Sequence, residues 1–193
     1  MKVKLLHHTP LEVADLAIGK CWAKETDKPA ERMYRVANKY KHASTIEHIN
    51  YNFDIDGVSR ALLQEIVRHR HASISVQSTR YTLKELRDAP ESSLKDFLVS
   101  PNPEVLERNL EALRYLKMML KGMSNDEAKY MLPEAYKTSF VWTINMRSLQ
   151  NFLSLRTDKS ALWEIRDLAH EVYRQVPDTH KFMLEEFVKD ATG

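Results

Sequence analysis

The chain has 193 residues, 43% hydrophobic and 29% charged, with a net charge of +2 and one cysteine, Cys21. That length buries a core without cross-links, a lone cysteine excludes an internal disulfide or a cysteine-built zinc or iron–sulfur site within one chain, and near-neutrality argues against a general polyanion binder. Gly19, Gly57, Gly122 and Gly193 open neither G-x-G-x-x-G nor G-x-x-x-x-G-K, which excludes phosphate sites of the dinucleotide-fold and P-loop kinds.

In chain order, residues 2–6 suit a short edge strand, and Leu11, Ala14, Ala17, Ile18 and Cys21 repeat at helical spacing between Pro10 and Trp22. Those apolar neighbours make Cys21 a buried structural thiol rather than a nucleophile. Pro29 opens a second helix reaching about Lys39. From His48 to Asp56 the chain alternates strictly, Ile49, Tyr51, Phe53 and Ile55 against polar partners, which predicts a half-buried antiparallel strand. A helix is expected from Val58 or Ser59 to about Arg70, then an extended segment, then a polar linker in which 82–103 is the likeliest mobile loop. Pro103 to Lys121 reads as a helix closed by Gly122, and Ser124 with Glu127 forms a capping-box pattern for a short helix that Pro133 ends. Tyr136, Thr138, Phe140, Trp142 and Ile144 alternate as a second strand, Asn145 caps a helix over Met146–Leu155, and helices follow at about 160–175 and 178–190. The sum is a single helix-rich α+β domain, 1–193, with a small antiparallel sheet.

The stretch RHRHASISVQSTRY, residues 68–81, holds three arginines, two histidines, three serines and a tyrosine. Cations at a helix carboxy end account for two of these side chains, not for all of them. Two arginines offering bidentate contacts, with serine donors between, suit a small phosphorylated ligand. A single-stranded nucleic-acid binder would need repeated aromatic platforms and a longer basic track. His42, Glu47 and His48 lack H-E-x-x-H spacing, so a metal is the weakest reading there, and a hydrogen-bonded turn entering a strand competes with any functional one. Arg147 and Asn151, four apart, share a helical face while Leu149, Phe152 and Leu153 point inward. No ~20-residue apolar stretch exists and the first residues have no sustained apolar core, so a cytoplasmic protein, neither exported nor embedded, is expected.

Three segments in register resemble the flavin-dependent thymidylate synthases: HASTIEH at 42–48, R-H-R-x-x-S-x-x-x-x-S-x-R-Y at 68–81, and NMRSLQNFLSLR at 145–156, with ALWEI continuing to 165. The resemblance implies the thymidylate synthase-complementing-protein fold and a homotetramer with active sites shared between subunits. It implies an FAD-dependent methyltransferase that converts dUMP to dTMP, with methylenetetrahydrofolate as carbon donor and NADPH as reductant, and without a cysteine nucleophile. By the same resemblance Ser44, His69, Arg70, His71, Asn145, Arg147 and Asn151 hold FAD. Glu65, Arg68, Gln77, Ser78, Thr79, Arg80, Lys129 and Arg156 surround dUMP, with Arg156 and Ser78 in catalytic places and Arg156 favouring the ring ionised at N3. No metal, nucleic acid or membrane partner is implied.

Three positions depart from the family pattern. Ser75-Val76 stands where Asn-Glu is frequent, Lys129 where arginine is common, and Glu65 where an amide is frequent. Altered affinities are expected, not a changed reaction. The rival readings are a non-catalytic nucleotide- or RNA-binding module and a histidine-rich metal hydrolase.

Overall fold

The two alternating segments become the central strands of a four-stranded sheet. A computed structural model describes residues 1–23 and 26–189. In it β1 (Lys2–His8), β2 (Asn50–Ser59), β3 (Ala72–Val76) and β4 (Lys137–Asn145) lie in the order β1-β2-β4-β3, each neighbouring pair antiparallel. Opposite one another stand Tyr51 and Ile144, Phe53 and Trp142, Ile55 and Phe140, all buried, so cross-strand pairs of large apolar groups form the floor of the core.

Around the sheet run α1 (Glu12–Trp22), α2 (Pro29–Tyr34, continued by a π turn over Arg35–Lys39), α3 (Arg60–Ile66), α4 (Thr79–Asp88), α5 (Pro103–Met119), α6 (Asn125–Ala128), α7 (Met146–Arg156), α8 (Trp163–Gln175) and α9 (Asp178–Lys181). One buried cluster joins the sheet to α7 and α8 through Phe152, Leu153, Ile165 and Leu168. A second gathers Leu83 and Leu86 of α4, Leu94 and Leu98, Leu113 and Leu116 of α5, and Tyr136.

Several expectations need correction. His48 closes a 3-10 turn, Ala43–His48, and β2 starts two residues later. It continues past Asp56 through a bulge at Gly57, whose φ of +70° is a conformation that side chains disfavour. Val58 therefore belongs to the strand and Ser59 is the helix cap, its hydroxyl accepting from the Leu62 amide at 3.0 Å. That cap is itself held by the buried Glu164, which accepts from the Ser59 amide at 2.8 Å and from its hydroxyl. α3 stops at Ile66, not Arg70, leaving 68–71 as irregular chain.

The expected loop at 82–103 is instead α4, a 3-10 helix over Glu91–Phe97 and the start of α5, with leucines buried in the second cluster. Asn102 caps α5 through bonds to the Glu104 and Val105 amides, and Ser124 caps α6 as its pattern requires. Gly122 does not take a left-handed cap conformation; Gly57 alone among the described glycines has positive φ. The last helix is broken into α9 and a 3-10 turn, Glu185–Phe187, and residue 190 lies outside the described residues. Gln150 and Asn38 hold this break by donating to the Met183 carbonyl at 2.9 and 3.2 Å. Cys21 is exposed, because α1 buries Ala14 and Ile18 and turns its thiol outward.

Leu86→Ala should lower stability by about 2–5 kcal/mol, the cost of a cavity in a packed core. Urea denaturation reads this directly, and a change near zero would mean that 82–103 is not packed.

Candidate active site

Three short pieces of chain converge at one end of the sheet. Asn145, the last residue of β4, accepts a bond from the Ser148 amide at 2.8 Å and so fixes where α7 begins. With that start set, Leu149, Phe152 and Leu153 are buried and Arg147 and Asn151 face out, as their spacing requires. The Phe152 ring meets Trp142 and His69 edge-on, with centroids 5.0 Å from each, tying the sheet to the 68–71 segment. Arg68, His69, Arg70 and His71 face α7 across a cavity of about 740 Å³, which Glu47, Asn145, Arg147, Ser148, Asn151, Leu155 and Arg156 also line.

The cavity is strongly basic. The amino end of α7 adds positive potential to four arginines. Carboxylates from other elements offset them. Arg147 pairs with Glu47 at 2.5 Å where both are solvent-exposed, so this pair is easily exchanged for a ligand. Arg156 is better enclosed: its Nη1 donates to Glu65 Oε2 at 2.8 Å, its Nη2 to the Glu65 carbonyl at 3.4 Å and its Nε to His69 Nε2 at 3.0 Å. To accept that bond His69 must be neutral and carry its proton on Nδ1. Burial first, then Arg156 and Arg68, push its pKa down to about 4, against an opposing pull from Glu65.

Of the residues expected from the sequence, the cavity brings together His69, Arg70, His71, Asn145, Arg147 and Asn151 from the flavin set and Arg68 and Arg156 from the nucleotide set, with Glu65 directly behind. Ser44 lies exposed on the 3-10 turn that carries Glu47, outside the lining. Gln77, Ser78, Thr79, Arg80 and Lys129 also lie outside it. They gather at the start of α4 and the end of α6, where Arg80 pairs with Asp126 at 3.5 Å and its carbonyl accepts from Asn125 at 2.8 Å. Glu47, Ser148 and Leu155 were not among the expected residues. Glu47 sits in the quoted HASTIEH, but an acid's arginine partner one hundred residues away leaves no local signal.

A family model described as thymidylate synthase complementing protein matches residues 4–180. The chain belongs to the flavin-dependent thymidylate synthase family. It is 51% identical over 199 residues to the flavin-dependent thymidylate synthase of Campylobacter jejuni, covering 96% of each chain. It is 43% identical to that of Helicobacter pylori, covering 98% of this chain and 100% of the other. A crystal structure of thymidylate synthase X from Helicobacter pylori with FAD and dUMP superposes with a TM-score of 0.92 at 41% identity, over 98% of this chain and 100% of that one.

The helix-rich α+β fold with its small antiparallel sheet is thus the fold of this family. Among the described residues no group of three or more His, Cys, Asp and Glu side chains is arranged to hold a metal ion, and no helix is long and apolar enough to cross a membrane. Cys21 does not line the cavity.

His180, whose Nδ1 lies 2.8 Å from the Tyr51 hydroxyl, is also lowered to about 4, chiefly by burial. From the ordinary 6.5 down to about 4 the unfolded chain binds protons that folded His69 and His180 refuse. Their contribution to stability is therefore complete above that window and is lost as pH falls through it. Denaturant midpoints should drop on acidification across it, and both imidazoles should titrate well below the exposed histidines by NMR. Titration of His69 at its ordinary value would contradict the neutral acceptor.

Proposed function

We propose that this flavin-dependent thymidylate synthase, acting as one domain over 1–193, reductively methylates dUMP to dTMP, with methylenetetrahydrofolate as carbon donor and NADPH as reductant. The observation that carries the proposal is the convergence of His69, Arg70, His71, Asn145, Arg147 and Asn151 with Arg68 and Arg156 around one cavity. That donor set suits FAD, with guanidinium forks for a pyrophosphate and amides and imidazoles for the polar edge of a ring. FAD, when bound, supplies the hydride chemistry. The Helicobacter pylori relative, solved with FAD and dUMP, supports both ligands.

What the chain itself contributes is position and charge. Arg68, with Gln77, Ser78, Thr79, Arg80 and Lys129, is assigned to the nucleotide, Ser78 in a catalytic place beside it and Ser44 to the flavin. Arg156 beside the uracil ring favours the form ionised at N3, which makes carbon 5 a better nucleophile as negative charge develops. Activation of this kind requires no enzyme cysteine, in keeping with Cys21 on the exposed side of α1. Two basic groups on one chain, the cavity and the Arg80–Lys129 region outside it, suit a site that takes residues from more than one subunit, and the assembly proposed is a homotetramer. A cytoplasmic location is part of the same proposal.

Purified protein should be yellow, bleach with NADPH in the absence of oxygen, and form dTMP only when dUMP and methylenetetrahydrofolate are both present. Protein that stays colourless and inactive with added FAD would overturn the assignment. Arg156→Ala should cut turnover by at least about 10²-fold while flavin absorbance is retained, the scale of a lost charge-stabilising donor. Near-normal dTMP formation would remove Arg156 from the chemistry.

A further inference from the structure

Glu65 is an acid at the unfavourable end of its helix. It lies in the last turn of α3, where the helix dipole favours cations. Its carboxylate bridges two of them, Arg156 at 2.8 Å and Arg68 at 3.7 Å. The Arg156 side chain is only 15% exposed and Arg68 is 71% exposed, so the first contact is the directional one. Arg156 uses three of its five N–H groups on this neighbourhood, two of them on Glu65. The third goes to neutral His69, which orients the guanidinium without cancelling its charge.

We propose that Glu65 is a positioning residue that stands in for the charge of the nucleotide, holding Arg156 at the cavity wall and weakening its pull, and that of Arg68, on the pyrimidine monophosphate. The inference rests on the reading of this cavity as the dUMP site. A carboxylate fixed 2.8 Å from a guanidinium turns a bare cation into a dipole, whose field at the ligand is much smaller. Glu65 thereby sets both how tightly dUMP is held and how readily its ring loses the N3 proton. Among the described residues, the charged and titratable groups facing Glu65 are Arg68 on its own segment, Arg156 from α7, and His69 beside both.

Glu65→Gln separates the two roles, since an amide oxygen still accepts from Arg156 while the charge is gone. FAD-loaded wild type and variants are titrated with dUMP and with 5-fluoro-dUMP, whose ring ionises more readily. Ionisation of the bound ring is followed against pH by ultraviolet difference spectra, and kcat and KM are measured separately.

E65Q should bind dUMP about tenfold more tightly, and the bound ring should ionise about one pH unit lower. Glu65→Asp, which keeps the charge, should leave ring ionisation at the wild-type pH. Glu65→Ala should shift ionisation as E65Q does but lower kcat, because orientation is lost as well. An E65Q protein that binds dUMP no more tightly, or whose bound ring ionises at the wild-type pH, overturns the proposal. Wild-type protein that binds no dUMP would refute the site assignment itself, a separate outcome.

Discussion

Mutual repulsion among four arginines around one cavity is the constraint on which the architecture of this site turns. Arg68, Arg70, Arg147 and Arg156 all line it, two from the irregular chain before β3 and two from α7. Carboxylates from separate elements make the arrangement tolerable, Glu47 from the turn before β2 and Glu65 from the end of α3. The two pairs differ in kind. Arg147 and Glu47 are half in solvent, where an ion pair is weak and exchangeable, whereas Arg156 is enclosed, fixed by three bonds and aimed.

α7 is the element through which this charge is positioned. Its cap at Asn145 sets its phase, its buried face packs on the sheet, and its outer face carries Arg147 and Asn151 into the cavity. Phe152 joins the two halves of the site, its ring in T-shaped contact both with Trp142 of the sheet and with His69 of the basic segment. The carbonyl of Glu65 accepts from Arg156, giving the end of α3 a partner that a continued helix would otherwise supply. Fold and electrostatics thus meet in the same few side chains.

Both central strands, the Asn145 cap and the outward pair Arg147 and Asn151 were legible in the sequence, because each is written in spacing or in a capping residue. What could not be read locally was decided by distant partners. α3 keeps helical spacing as far as His69, yet it ends at Ile66, and the Glu65 carbonyl accepts from Arg156 instead of from a further turn. Leu83, Leu86 and Leu94 look like a sparse polar linker until α5 supplies the surface that buries them. Cys21 shares its spacing with Ala14 and Ile18, but that stripe is wider than the face α1 buries. Family resemblance marks most of the cavity residues but not Glu47, whose role depends on Arg147 one hundred positions later.

The most direct test of the account is a crystal structure of this chain grown with FAD and dUMP. The uracil ring should lie within hydrogen-bonding reach of Arg156, with the isoalloxazine against it beside Arg147 and Asn151. Clear density for both molecules lodged away from the 68–71 and 145–156 segments would contradict it.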